Sequence, residues 1–271
     1  MRLLQISVPE SQAELAADRL WGAGAGAVEE LAGPNDRTLL RTVLAEDDGV
    51  SLGRLGQLPD LWEVSFDEAE DRPAQTWRQH AQPITVNEAL VLRPAWLPSR
   101  ADEGVVEIVI EPGASFGLGD HPTTRLSADA TWRLVQTGDR VLDVGCGSGV
   151  LSIIAARRGA VEIVAIDIAE AARQATDDNA ARNGVGDRIV ASTTPVGGID
   201  GTFDLVLANI LAPALLAMSG DLRRLTSPDG SLVLSGILAA RHDHVLAALR
   251  PMRVIATFEL DGWAAVELRH R

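Results

Sequence analysis

The stretch VLDVGCGSGVLSIIA, residues 141–155, carries the clearest structural pattern in this chain. Its pattern predicts a buried strand that ends at Asp143 and Val144, a glycine-rich turn, and a helix that begins near Ser148. Glycines let the backbone adopt positive φ and come close to a ligand. A ligand at such a turn lies at the carboxyl ends of parallel strands, beside a helix N-terminus. The stretch therefore predicts an α/β domain with a cofactor site at this turn.

The spacing of the glycines discriminates between cofactors. Gly145, Gly147 and Gly149 form a G-x-G-x-G pattern, and Val150 stands at the next place. A dinucleotide fingerprint is G-x-G-x-x-G, so the pattern disfavours a nicotinamide enzyme. A Walker-type phosphate site is excluded as well, because it needs a lysine and the sequence contains none.

A carboxylate follows the glycine-rich turn at a spacing that indicates a role in binding the cofactor. Asp167 stands 22 residues after Gly145, at the end of the apolar segment VEIVAID. A carboxylate at the end of the second strand can accept hydrogen bonds from both ribose hydroxyls of a nucleoside cofactor. We therefore predict that Gly145, Gly147 and Asp167 bind the cofactor. Cys146 is interpreted as a small space-filling residue rather than a nucleophile, since no base lies near it in the sequence.

From residue 105 onward, near-continuous apolar runs alternate with helical segments, which favours a parallel doubly wound sheet. The tail departs from this alternation, because two strand patterns are joined there by Asp261-Gly262, a strong hairpin signal. The predicted parallel strands are VEIVI, RVLDV, VEIVAID, RIVAS, FDLVLANI and SLVLSGI, and the predicted hairpin strands are RVIATFEL and WAAVELR.

The beginning of the chain has a different pattern. Residues 1–66 show a strand, a helix and further short strands, which indicates a small α+β domain. Residues 67–104 are predicted to be a linker, with a short helix in TWRQHAQPI and a strand in ALVLRPAW. Residues 105–271 are then the catalytic domain.

Composition limits the partners. The net charge of −14 makes free nucleic acid an unexpected ligand, whereas an acidic surface would steer in a basic protein or serve solubility alone. The sequence has a single cysteine and no apolar run of the roughly 20 residues that a membrane helix needs. Its first residues lack the features of a signal peptide. We therefore expect a cytoplasmic protein without a membrane partner.

Three further stretches carry a specific resemblance. EPGASFGLGDHPTTRL, residues 111–126, resembles the EPG-x-AFGTG-x-H-x-TT signature of the PrmA family. FDLVLANILAPAL, residues 203–215, resembles the family's VVANILAGPL segment, and residues 76–96 resemble the bridge between its domains. The resemblance implies a Rossmann-like class I methyltransferase fold and a small N-terminal domain. It also implies S-adenosylmethionine as cofactor and no metal.

The family methylates lysine and α-amino groups of large-subunit ribosomal protein eleven (L-eleven). The resemblance therefore implies that residues 1–66 recognise this substrate protein, and we expect the chain to act as a monomer. Asn209, at the end of the fourth strand, is the predicted catalytic residue and also a cofactor contact. Its amide oxygen can accept an N–H from the substrate amine and aim the lone pair at the methyl carbon. His121 is a candidate general base for the proton of the amine. The alternative is that this proton is lost to water.

The resemblance also assigns cofactor contacts to Thr124 and to Phe116 and Gly117 of a glycine-rich loop, which we interpret as mobile. Leu118 departs from the family's usual threonine. No acidic residue follows the third strand, so the backbone or Ser192 would have to hold the adenine amine.

Other functions stay open at this point. A protein methyltransferase with another target, such as electron-transfer flavoprotein, would share the same chemistry. A small-molecule methyltransferase would not need a folded N-terminal domain. A non-catalytic binding module is disfavoured because Gly145, Asp167 and Asn209 are all present. The fold by itself does not choose among these functions.

Overall fold

A computed structural model of the chain describes residues 2–23, 28–34, 36–44, 58–68, 81–99, 104–111 and 121–271. The chain divides into two compact units, Met1–Ala81 and Gln82–Arg271. Residues 84–94, which we predicted to belong to the linker, form strands of the second unit. The predicted helix at residues 76–84 falls for the most part outside the described residues. None of the helices in these ranges is both long and apolar enough to cross a membrane.

The described residues of the first unit form an antiparallel four-stranded sheet and one α-helix. Leu4, Ile6 and Val8 alternate with less buried residues along the first strand, and Leu20 of the helix joins them in the core. The strand order is β2-β3-β1-β4. The elements are β1 (Arg2–Pro9), a 3₁₀ turn (Glu10–Gln12), α1 (Ala13–Gly22), β2 (Glu29–Ala32), β3 (Arg37–Leu44) and β4 (Glu63–Glu68).

The second unit has the predicted class I methyltransferase fold. Its seven-stranded sheet has the order β10-β9-β8-β11-β12-β14-β13, in which β8 to β12 are parallel and β14 is antiparallel to both of its neighbours. The strands of the unit are β5 (Ile84–Asn87), β6 (Leu90–Pro94), β7 (Val106–Ile110), β8 (Arg140–Val144), β9 (Glu162–Ile166), β10 (Ile189–Ser192), β11 (Phe203–Asn209), β12 (Thr226–Leu238), β13 (Arg253–Leu260) and β14 (Trp263–Arg269). The helices are α2 (Pro122–Leu134), α3 (Val150–Arg158), α4 (Glu170–Arg182), α5 (Ala212–Leu225) and α6 (Asp243–Ala248).

Both faces of the seven-stranded sheet are covered. Helices α2, α3 and α4 pack on one face, where Leu207 and Val233 are buried, and α5 and α6 pack on the other, where Val206 and Leu234 are buried. Strands covered on both faces carry apolar residues at successive positions, which is why the runs in the sequence are nearly continuous.

One predicted strand lies elsewhere. VEIVI forms β7, but β7 pairs with β6 in a separate three-stranded sheet of order β5-β6-β7. Only Ile108 and Ile110 of β7 are fully buried, so one face of the strand is covered, and β7 packs against α3 and α4. The prediction that VEIVI belongs to the parallel sheet was wrong, because an apolar run indicates burial without indicating its hydrogen-bonded neighbour.

The predicted hairpin is confirmed. Leu260 pairs with Trp263 across the two-residue turn Asp261-Gly262. The φ angles of Asp261 and Gly262 are 50° and 81°. Positive φ at both central residues is what a type I′ hairpin turn requires, and Asp-Gly adopts it readily.

Candidate active site

The glycine-rich turn connects β8 to α3 in a conformation that requires glycine. Gly145, Gly147 and Gly149 have φ angles of 77°, 55° and 79°. The amides of Gly145 and Cys146 both donate to the carbonyl oxygen of Ile166, at 2.8 and 3.1 Å, which ties the turn to β9. A Cβ added at Gly145 would lie 2.3 Å from Cγ2 of Ile210, so no side chain fits there. The turn therefore keeps its backbone bare at the carboxyl edge of the sheet.

Asp167 supports this turn directly. Its Oδ2 accepts the backbone N–H of Gly147 at 3.0 Å, and its Oδ1 accepts that of Ala169 at 3.0 Å. These bonds hold the carboxylate beside the glycines. Each carboxylate oxygen has a second acceptor site, so the same group can also accept ligand hydroxyls.

Asn209 is the last residue of β11, which lies between β8 and β12. Ala208 is paired with Val144 and Asn209 with Ser235, so Asn209 lies next to the start of the glycine turn. Its side chain is half-buried. The structure thus brings Gly145, Asp167 and Asn209 together along one edge of the sheet.

A buried carboxylate lies below this edge, and sequence reasoning missed it. Asp143 pairs with Leu207, so it shares a sheet face with Asn209, two residues further along β11. Its Oδ2 accepts the backbone N–H and the hydroxyl of Ser152, at 3.2 and 2.7 Å. Its Oδ1 has no hydrogen-bond partner in the described part of the chain. Burial raises the pKa of Asp143 to about 6. The signal was an acidic residue inside the buried strand RVLDV.

Two buried hydroxyls on α2 also lack partners within the described ranges. Thr124 and Ser127 are each 1% exposed, and neither Oγ atom makes a hydrogen bond there. Both residues lie on the helix that packs against β11, β12 and β14. A buried polar atom without a partner is costly, which points to a ligand or water that supplies one. Thr124 was predicted to contact the cofactor, whereas Ser127 was not.

His121 is the N-cap residue of α2, and its side chain caps the helix. Its Nδ1 accepts the backbone N–H of Thr123 at 3.3 Å and lies 2.7 Å from the Thr123 hydroxyl. The ring also packs edge-to-face on Trp263, with 4.8 Å between the centroids. A neutral imidazole has one lone pair, and here that lone pair accepts the cap hydrogen bond. The geometry therefore favours a capping role for His121 over the role of a base.

Cys146 is buried in the turn, as the space-filling interpretation requires. Its sulfur accepts a hydrogen bond from the Thr176 hydroxyl at 3.3 Å. Burial raises the pKa of the thiol, which disfavours the thiolate needed for nucleophilic attack.

The predicted loop contacts Phe116 and Gly117, and with them Leu118, lie outside the described residues. The segment leading to this loop is held by a side chain that sequence reasoning missed. The amide of Asn179 accepts the N–H of Glu111 at 2.9 Å and donates to the carbonyl oxygens of Glu111 and Ser148, at 2.9 and 3.0 Å.

Strand β10 ends beside an exposed apolar residue. Ser192, the last residue of β10, accepts the amide of Asp167 through its carbonyl oxygen at 3.2 Å. Ile168 follows Asp167 directly and is 81% exposed. An apolar side chain left open next to the candidate ribose carboxylate offers a surface for a flat ring.

Comparisons with known proteins identify the family of the chain. The profile of the family described as "Ribosomal protein L11 methyltransferase (PrmA)" matches residues 52–271. A crystal structure of ribosomal protein L11 methylase from Lactobacillus delbrueckii subsp. bulgaricus superposes with a TM-score of 0.66 and 31% identity, covering 70% of this chain and all of that one.

Curated relatives named "Ribosomal protein L11 methyltransferase" are similar in sequence. The relative from Geobacter sulfurreducens is 46% identical over 73% of this chain and 66% of its own length. The relative from Symbiobacterium thermophilum is 37% identical over 91% of this chain and 78% of its own length. The match to relatives from Geobacter sp. (strain M21) and Geobacter metallireducens spans 66% and 58% of their lengths, about two thirds or less.

Proposed function

Because the chain belongs to the ribosomal protein L11 methyltransferase (PrmA) family, we propose that it transfers methyl groups from S-adenosylmethionine to lysine and α-amino nitrogens of ribosomal protein L11. The observation that carries the proposal is the arrangement at the sheet edge. The bare glycine turn after β8 lies there between the carboxylate of Asp167, which follows β9, and the amide of Asn209, at the end of β11.

The residues present fit S-adenosylmethionine. Asp167 would accept the ribose hydroxyls, and exposed Ile168 would pack on the adenine ring. The Oδ1 of Asp143, which has no partner among the described residues, suits the ammonium of the methionine part, and the hydroxyls of Thr124 and Ser127 suit its carboxylate. Further proposed contacts of the cofactor are Gly145, Gly147, Asn209, Phe116 and Gly117.

When bound, S-adenosylmethionine supplies a methyl group on a positively charged sulfur that is already activated for displacement. The task of the protein is to present a neutral amine in line with it. Asn209 would accept one N–H of that amine and orient the nitrogen lone pair. A free lysine has a pKa of about 10.4, so the half-buried position of the site must favour the neutral form. Since Nδ1 of His121 caps α2, we propose that the proton leaves to water.

The remaining parts of the proposal concern context. We propose that residues 1–66 recognise the substrate protein and that the enzyme acts as a monomer in the cytoplasm. A net charge of −14 supports a basic protein as the partner and not free nucleic acid. Analytical ultracentrifugation at micromolar concentration should give the mass of one chain.

The decisive experiment uses S-adenosylmethionine with a labelled methyl group. The purified protein is incubated with ribosomal extract from a strain that lacks this enzyme, and the labelled protein is identified by mass spectrometry. Label on lysine and α-amino nitrogens of ribosomal protein L11 is expected. Label on another protein would replace the target, and no transfer to protein, RNA or small molecules would overturn the methyltransferase proposal.

A further inference from the structure

Helix α4 fastens the outer edge of β7 through two asparagine side chains. β7 is the last strand of its three-stranded sheet, so its outer edge has no strand beside it in that sheet as far as the structure describes the chain. Asn183, directly after α4, accepts the N–H of Val109 at 2.9 Å and donates to the Val109 carbonyl oxygen at 2.7 Å. Asn179, one turn earlier, makes the same pair of bonds with Glu111, both at 2.9 Å. Each side-chain amide thus takes the place of a peptide group in a further strand.

The two asparagines differ in their third bond. Nδ2 of Asn179 also donates to the carbonyl oxygen of Ser148 at 3.0 Å, whereas Nδ2 of Asn183 donates to the carbonyl oxygen of Asn179 at 2.8 Å. Ser148 lies in the glycine-rich turn between Gly147 and Gly149, and both Ser148 and Asn179 are 0% exposed. Asn179 therefore joins the end of β7 to the candidate cofactor turn, while Asn183 joins β7 to its own helix.

Thr176 holds the same turn at the preceding peptide group. It lies on the same side of α4, three residues before Asn179, and its hydroxyl donates to the carbonyl oxygen of Gly147 at 3.2 Å, sharing the proton with the sulfur of Cys146. The N–H of Gly147 donates to Asp167 on its other side. Because a trans peptide group is planar, a carbonyl held towards α4 directs the N–H of the same peptide group away from that helix. Side chains of α4 thus set the orientation of two successive peptide groups in the turn.

The burial of these groups makes the anchor difficult to replace. A buried carbonyl oxygen that loses its donor keeps the cost of its desolvation without the compensating bond. The Ser148 carbonyl could regain a donor only if its peptide group rotated towards solvent or another N–H. Such a rotation would change the turn beside Gly147, whose N–H binds Asp167.

We propose that Asn179 is a positioning residue for S-adenosylmethionine: it ties the Ser148 carbonyl to the backbone of Glu111 and thereby keeps the glycine-rich turn in the shape that binds the cofactor. The inference rests on the proposed function and adds to it a residue that acts through the turn. A purely structural role would give Asn179 and Asn183 the same task, which is to hold β7 on α4. The two roles differ in the cofactor affinity of the folded variants.

The test compares Asn179→Asp with Asn183→Asp. Each substitution keeps the size of the side chain and replaces an amide nitrogen that donates to two carbonyl oxygens by a carboxylate oxygen that donates to none. Both variants should melt at a lower temperature in circular dichroism. Calorimetry well below that temperature should show that Asn179→Asp raises the Kd of S-adenosylmethionine about tenfold, the scale of one lost buried hydrogen bond. Asn183→Asp is the matched control, and its Kd should stay within about twofold of wild type.

Thr176→Val provides a milder variant that acts on the same turn. It keeps the branched shape of the side chain and releases only the Gly147 carbonyl, so the Kd of S-adenosylmethionine should rise by about threefold with little change in melting temperature. In steady-state kinetics, KM for the cofactor should rise with Kd in both Asn179→Asp and Thr176→Val. KM for the protein substrate should stay at the wild-type value.

The inference is overturned if folded Asn179→Asp binds S-adenosylmethionine with the wild-type Kd, or if Asn183→Asp weakens binding equally. If Asn179→Asp does not fold, a wild-type Kd in Thr176→Val overturns it instead. A wild-type protein that does not bind S-adenosylmethionine would contradict the proposed function itself.

Discussion

At the residue scale, two carboxylates illustrate how surroundings assign different tasks to one residue type. Asp167 is half-buried and has both oxygens in hydrogen bonds to backbone amides beside the glycine turn. Asp143 is fully buried, with one oxygen held by Ser152 and the other without a partner in the described residues. The first suits neutral hydroxyl donors, and the second suits a donor that carries positive charge.

Asp167→Ala is expected to weaken S-adenosylmethionine binding by about 1.5–3 kcal/mol, the scale for losing hydrogen bonds to a charged group. The loss includes the support of Gly147. Isothermal titration calorimetry measures it, and Asp167→Asn, which keeps one acceptor oxygen, should lose less. Wild-type affinity in Asp167→Ala would remove this residue from the site.

Asn209→Ala is expected to lower kcat more than it lowers cofactor affinity, because its proposed role is to orient the amine in the transition state. Steady-state kinetics with ribosomal protein L11 and calorimetry with the cofactor separate the two effects. A variant that methylates at the wild-type rate would show that Asn209 only ends its strand.

Asp143 should make the cofactor-free protein less stable as the pH rises. Burial raises its pKa to about 6 from 3.8, so between these values the folded chain keeps a proton that the unfolded chain releases. Folding stability then falls with rising pH in this window, by up to about 3 kcal/mol.

Asp143→Asn does not titrate, so its free energy of unfolding relative to wild type should increase from about pH 4 to about pH 7. Urea unfolding at both pH values measures this difference. A constant difference would contradict the titration of Asp143 in this range.

At the scale of elements, position 145 in the turn between β8 and α3 requires glycine for two separate reasons. Its φ of 77° is unfavourable for any other residue, and a Cβ would collide with Ile210, which follows Asn209. The turn and the end of β11 therefore constrain each other, and a change in one displaces the other.

Gly145→Ala is expected to reduce cofactor affinity more than tenfold and to lower the melting temperature. Gly138→Ala is the control, because Gly138 also has positive φ, at 100°, but has no atom within 4 Å of an added Cβ. It should show only the backbone cost of about 1–2 kcal/mol. Ile210→Ala combined with Gly145→Ala should recover part of the affinity. Equal effects of the two glycine substitutions would exclude the collision as the cause.

At the scale of the whole molecule, the second unit contains all the described residues of the candidate site. The first unit contains most of the acidic excess. The two proposed activities, methyl transfer and substrate recognition, therefore lie in different units.

A chain that begins at Gln82 is expected to keep its cofactor affinity and to lose methylation of intact ribosomal protein L11. The physical reason is that a docked substrate has a high effective concentration at the site, which the short chain cannot provide. Calorimetry and the labelled-cofactor assay measure the two properties. Full activity of the short chain on the intact protein would show that the first unit is not needed for recognition.

The strands of the seven-stranded sheet, the hairpin and the glycine-rich turn could all be predicted from the sequence. These depend on local rules: apolar runs for buried strands, Asp261-Gly262 for a tight hairpin, and glycine spacing for a turn. The positions of Asp167 and Asn209 at this edge could be predicted because each ends a recognisable strand, and strand ends of a parallel sheet meet at one edge.

Which neighbours these local elements have is a property of the tertiary structure. The segment VEIVI pairs with β6 and not with the large sheet. Asp143 and Ser127 have buried atoms without a hydrogen-bond partner among the described residues, and such burial depends on packing. Val64 and Phe66 look like ordinary strand residues in the sequence, and their exposure follows from the place of β4 in the sheet. Pairing and burial depend on residues distant along the chain, whereas turn geometry and strand pattern depend on neighbours in sequence.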